Sequence, residues 1–144
     1  MRAFLLILLF ASMFSCRKED DHSNLMITAG FICGWGSGED SLVITRSEIN
    51  YLYFIPAKSR EPVKQAMRKT QESEWNEIVD AVNYSEFAKL NYNTCNVCVD
   101  GCDEWVSLQD DDFDHAIRYT KGQEINSIKR LQEILSRLRA EFAK

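Results

Sequence analysis

Cysteines are the residues best placed to do chemistry in this chain. There are five, and four of them, Cys33, Cys95, Cys98 and Cys102, lie in the body of the sequence. Three kinds of chemistry suit that set. In an oxidising compartment an even number of cysteines in a small domain reads as two disulfides, with three connectivities that spacing alone does not separate. One bond from Cys33 to the group at Cys95, Cys98 and Cys102 would close a loop of roughly sixty residues, worth on the order of 4 kcal/mol in the chain-entropy treatment. That staple, with the two remaining cysteines paired locally, is the favoured reading. Thiol-disulfide exchange is the second, because Cys95-Asn96-Val97-Cys98 has C-x-x-C spacing. Such chemistry wants a thiol at a helix amino terminus, whereas Cys95 follows a predicted helix and is trailed by Asp100, Asp103 and Glu104. Zinc is the third, with Cys95, Cys98 and Cys102 plus Cys33 or His115 as four ligands, but thiols in an oxidising compartment pair with each other first.

Other constellations are poorer. Gly34-Trp35-Gly36-Ser37-Gly38 has neither the Gly-Lys-Ser/Thr ending of a phosphate loop nor the register of a dinucleotide loop or a hydrolase elbow, and reads as a turn into a strand. His22 lies close to the amino terminus, which leaves His115 as the one candidate general base, with no nucleophile to pair with it. Asp100, Asp103, Glu104, Asp110, Asp111, Asp112 and Asp114 fall in a stretch without Lys or Arg. Their oxygens suit calcium, but the spacing is not that of a calcium loop, and a solvated hairpin tip is the simpler reading. No catalytic residue, metal site or cofactor is therefore assigned.

The fifth cysteine closes an apolar run. Met1-Arg2 is positive, Ala3 to Phe14 is apolar apart from Ser12, and Ser15-Cys16 follows. This run is too short to span a bilayer and has the size and flanks of a secretory signal. It resembles the signal of bacterial lipoproteins, in which the cysteine thiol receives a diacylglyceryl group and becomes the mature amino terminus. Arg17-Lys18-Glu19-Asp20-Asp21 looks like the acidic export tag of surface lipoproteins in some Gram-negative bacteria. The resemblance implies a signal peptide over 1–15 and lipidation at Cys16 with a flexible tether over 16–25, and the length that remains, 26–144, suits one domain. It also implies attachment to the bacterial outer membrane, on the surface or the periplasmic face. A formal charge of -5 argues against nucleic acid as a partner.

The elements that must position these residues follow from periodicity. Ser41 to Thr45 and Asn50 to Ile55 are β-branched and aromatic runs joined by a short polar stretch and predict a hairpin, and Val63 to Lys69 predicts an edge strand. Trp75, Ile78, Val79 and Val82 at helical spacing predict an amphipathic helix from Ser73, with a short helical turn around Phe87 and Leu90. Glu104 to Gln109 and His115 to Thr120 alternate across the acidic turn as a second hairpin, with Trp105 and Ser107 on one face and Val106 and Leu108 on the other. Ile125, Ile128, Leu131, Leu135, Leu138 and Phe142 predict a closing helix of about nineteen residues, roughly 28 Å long. The expected fold is α+β, an antiparallel sheet of about five strands in the order β-β-β-α-β-β-α with two helices on one face. Such a layout serves many functions. The favoured one is a non-enzymatic binding domain whose ligand is an envelope protein, a host protein or a glycan, with Trp35, Tyr51, Tyr53 and Trp105 as possible contacts. The rival is a redox or zinc-binding role centred on Cys95 and Cys98.

Overall fold

Burial alternates along much of the central strands, and that alternation organises the molecule. The structure, a computed structural model, describes residues 22–59 and 61–144. Cys16, the signal and most of the expected tether lie outside those residues. Strands β1 (Met26–Cys33), β2 (Glu39–Ile44), β3 (Glu48–Phe54), β4 (Lys64–Lys69), β5 (Cys102–Asp110) and β6 (Phe113–Thr120) form one sheet in the order β4-β3-β2-β1-β5-β6. Every neighbouring pair is antiparallel.

The register stacks Ile27, Ile44, Ile49 and Leu108 in one row, with Ala29, Leu42, Tyr51 and Val106 in another. All eight are buried on the same face. Three helical segments cover that face: α1 (Glu72–Asp80) through Trp75 and Ile78, the single turn α2 (Tyr84–Phe87) through Phe87, and α3 (Lys129–Ala143) through Leu131, Ile134, Leu135, Leu138 and Phe142. Each fully buried Leu, Ile or Phe contributes about 1.5–3 kcal/mol of transfer free energy, so this layer is the main source of stability. Among the described residues no helix is long and apolar enough to cross a membrane.

The α+β class and the helix-on-sheet layering are as expected, but the sheet has six strands rather than five. The added strand, β1, is central, lying between β2 and β5. Its sequence, Met-Ile-Thr-Ala-Gly-Phe-Ile-Cys, carries no charge and no clear polar alternation, because apolar residues stand on its half-covered outer face as well as on its core face. Helix α1 begins at Glu72 rather than at a Ser73 cap. Gln71 provides no side-chain cap there, and Glu72 and Glu74 in the first turn favour the start through the helix dipole. Helix α3 is shorter than predicted because residues Asn126–Ile128 form a separate 3-10 turn. Gln132 reaches back to fix that entrance, accepting from Ile125 N at 2.9 Å and donating to Gln123 O at 2.9 Å.

Of the segment expected to be a tether, residues 22–25 are packed against the domain. Leu25 is 1% exposed, His22 stacks on Tyr84, and Asn24 donates to both oxygens of Asp111 at 3.0 and 3.1 Å. The sheet's two edges differ. Residues beside β6 cover its edge, with Arg118 N donating to Tyr92 O and Thr94 N to Arg118 O, whereas no strand among the described residues pairs with the outer side of β4. Lysine and arginine on β4 discourage accidental pairing there.

Candidate binding surface at the stapled end

β1 brings Cys33 directly opposite Cys102 on β5, with their Cα atoms 4.1 Å apart, and the two form a disulfide. Cys95 and Cys98 form the second disulfide within a short turn, Asn96–Val99. The arrangement is therefore one long staple and one local pair. Both bonds lie at the end of the sheet opposite the point where the chain enters β1.

The two loops at that end are pressed together. Gly34 N donates to Gly101 O at 2.9 Å, and a Cβ on Gly34 would stand 2.8 Å from the Asp100 Cα, so only glycine fits there. Trp35 and Asp100, on the two sides of this junction, are the two non-glycine residues with positive φ among the described residues, 57° and 65°. Left-handed backbone in non-glycine residues costs about 1 kcal/mol or more each and persists only where surroundings enforce it. Here the enforcement is covalent as well as hydrogen-bonded. The outcome is an indole presented to solvent: Trp35 is 82% exposed, and Val99 on the facing loop is 76% exposed.

Asp103 holds the second loop in shape. Its side chain is inaccessible, and it accepts from Thr94 Oγ1 at 2.8 Å, Asn96 Nδ2 at 2.7 Å, Asn96 N at 3.2 Å and Val97 N at 3.3 Å. Arg118 adds a forked contact at 3.2 and 3.0 Å. Burial pushes the Asp103 carboxyl up, but these donors outweigh it and hold the pKa down at about 2.

Trp105 stands farther down the same end, on the face of the sheet away from the helices. It pairs in register with Gly30, where a Cβ would meet the Asp40 carbonyl at 2.1 Å and the indole at 3.0 Å. Glycine thus lets the ring lie flat over β1. Trp105, Phe54, Ile32, Ser41, Glu39 and Arg118 line a shallow cavity of about 270 Å³. The four expected contact aromatics therefore separate. Trp35 and Trp105 reach the surface at one end, while Tyr51 lies in the core and Tyr53 packs against it on the helix face. Burial, then the Asp40 carboxylate, pushes the Tyr51 hydroxyl up to about 12.

A buried ion cluster between α3 and the sheet had no separate signal in the sequence. Arg139 donates to Asp40 at 2.9 Å and Glu104 at 3.1 Å and lies over the Phe31 ring at 5.1 Å. Nothing in the sequence distinguishes it from Arg137, which pairs with Glu77 on the surface. Glu104, Tyr119, Gln132 and Arg139 border an open groove of about 540 Å³ beside the cluster. Every buried side-chain polar atom among the described residues has a partner. Of the groove's charges, Arg139 and Glu104 are committed to each other. His115 is engaged too, with Nε2 2.9 Å from Leu90 O and its ring edge-on to Phe87. The acids of the 100–114 stretch point to separate partners: Asp103 inward, Asp110 to Tyr84 and Asp111 to Asn24. No three metal-binding side chains converge among the described residues.

No family model matches this chain, and no curated protein matches it closely enough to count as a relative. The functional reading rests on the geometry.

Proposed function

We propose that the protein is a lipid-anchored domain of the bacterial outer membrane that binds a protein or glycan ligand through its disulfide-stapled end. The observation that carries this reading is Trp35, a fully presented indole on a backbone held in the left-handed region by two facing loops. Exposing so large an apolar side chain forgoes its burial energy, and locking it in place lowers the entropy lost when a partner covers it. Tryptophan is one of the residues most enriched at the hot spots of binding surfaces. The topology supports the anchor as well. β1 starts where the tether would arrive and runs eight residues to the stapled end. At about 3.3 Å per residue that places Trp35 some 26 Å from the tether, on the side away from a membrane.

Two experiments test the two parts. Replacing Cys16 by Ser is expected to move the protein from the membrane to the soluble fraction, and unchanged fractionation removes the anchor from the reading. Trp35→Ala is expected to abolish binding to an immobilised envelope-protein fraction or a glycan array while leaving the melting temperature unchanged. Equal binding by the variant refutes Trp35 as the contact.

A further inference from the structure

The cavity beside Trp105 carries hydrogen-bonding groups that the fold does not use. Register sets its floor: Gly30 on β1 stands between Ser41 on β2 and Trp105 on β5, and Ile32, one row on, stands beside Glu39. Phe54 pairs with Glu39 from β3 and borders one side, while Trp105 and its neighbour Arg118 on β6 border the other. Because Gly30 has no side chain, the indole lies along the sheet as a half-buried aromatic wall. Glu39 and Ser41 are half-buried, and neither the carboxylate nor the hydroxyl has a protein partner among the described residues. Arg118 gives Nε and Nη2 to Asp103, which fixes the guanidinium, and Nη1 has no acceptor among the described residues. Asp103 and Arg118 neutralise each other, and Asp40, the other acid bordering the cavity, pairs with Arg139. Glu39 therefore supplies the uncompensated charge.

We infer that this cavity seats one ring of a neutral sugar. The inference rests on the reading of the stapled end as a binding surface and gives a glycan there a definite place. A carboxylate only accepts, a guanidinium only donates and a hydroxyl does both. A ligand that satisfies all of them must donate and accept within a short span, as the neighbouring hydroxyls of a pyranose do. The C–H face of the same ring is apolar and covers the aromatic wall, in keeping with the usual make-up of a small-molecule site, apolar with a few placed polar groups. A cation would satisfy Glu39 alone and stand against the Arg118 guanidinium, and an anion would meet the Glu39 carboxylate.

The size agrees. A volume of about 270 Å³ equals about nine waters at roughly 30 Å³ each. That accommodates one sugar ring and is too small for a helix of a partner protein, about 10 Å across with its side chains.

Nuclear magnetic resonance titration of the isotope-labelled full chain carrying Cys16→Ser tests the inference, with the methyl β-glycosides of glucose, galactose and N-acetylglucosamine as probes. At least one should shift the Trp105 indole N–H together with the Gly30 and Ser41 amides, with a Kd on the order of millimolar, as suits a ligand of this size. Trp105→Ala and Glu39→Ala should each weaken that binding about tenfold. If Trp105→Ala does not fold, Glu39→Ala carries the test, since its carboxylate has no protein partner to lose. Methyl β-glucuronide, the charged counterpart of the glucoside, should bind the parent about tenfold more weakly than the glucoside, and Glu39→Gln should close that gap to within about threefold. Absence of shifts with all three sugars, shifts that survive Glu39→Ala unchanged, or tighter binding of tetramethylammonium than of any sugar overturns the inference. Binding to the immobilised envelope-protein fraction is read separately, so its persistence where the sugars fail strikes this inference and leaves the reading of Trp35 standing.

Discussion

Removing each disulfide in turn should have very unequal effects. Cys33 and Cys102 are 69 positions apart, whereas Cys95 and Cys98 are 3 apart. A cross-link stabilises mainly by restricting the unfolded chain, and the chain-entropy relation gives about 4.4 kcal/mol for the long loop and about 1.9 kcal/mol for the short one at 25 °C. Cys33→Ala with Cys102→Ala is therefore expected to remove about 4 kcal/mol, a large share of the stability of a domain this size. Cys95→Ala with Cys98→Ala should remove no more than about 2 kcal/mol, since Asp103 still holds the turn through the Asn96 and Val97 amides. Urea unfolding followed by tryptophan fluorescence measures both, because Trp75 lies in the core under the sheet. Denaturant sensitivity carries a second signature: the slope should rise when the long staple is lost, as the unfolded chain expands, and stay constant when the local pair is lost. Equal losses from the two variants, or a greater loss from the local pair, would refute the entropic account.

Asp103 should dominate the acid limb of stability. Its pKa falls from 3.8 to about 2 on folding, so its contribution is complete above about pH 4 and disappears as the pH falls through 2, on the order of 2 kcal/mol. Asp103→Asn should lower stability at pH 7 and flatten that limb in acid titrations monitored by circular dichroism. Arg139→Met strips the cation from Asp40, whose side chain is 3% accessible, and should cost about 3 kcal/mol in chemical denaturation, while Arg137→Met, on the surface, should cost under about 1 kcal/mol. Cys95 and Cys98 are exposed and Cys33 and Cys102 are half-buried. Limited dithiothreitol followed by alkylation and peptide mapping should therefore label Cys95 and Cys98 first, and simultaneous labelling of all four would contradict that difference in access.

What could be read from the residues depended on whether a local period survives burial. β2, β3, β5 and β6 each bury one face strongly, so Val106 and Leu108 separate from Trp105 and Ser107 by simple alternation. β1 lacks that alternation because Met26 and Ile32 on its outer face are as apolar as Ile27 and Ala29 on its core face, and its one polar residue, Thr28, does not mark a face. The staple was legible because only one cysteine lies far from the other three. Its particular partner was not, since that depends on β1 and β5 being neighbours in the sheet. Trp35 and Tyr51 are both aromatics beside strand residues, yet one is exposed and the other buried. The difference follows from the Gly34 and Gly36 conformations and from the Asp40–Arg139 pair under Tyr51, both set by long-range packing.

β1 also has a mechanical meaning. A load taken at Trp35 and resisted at the amino terminus pulls along β1, so its ladders to β2 and β5 are sheared lengthwise and their hydrogen bonds share the strain together rather than opening one after another. The Cys33–Cys102 bond sits at the loaded end and passes part of the tension sideways into β5. Traction on the far tip is thus spread over the middle of the sheet instead of peeling it from an edge.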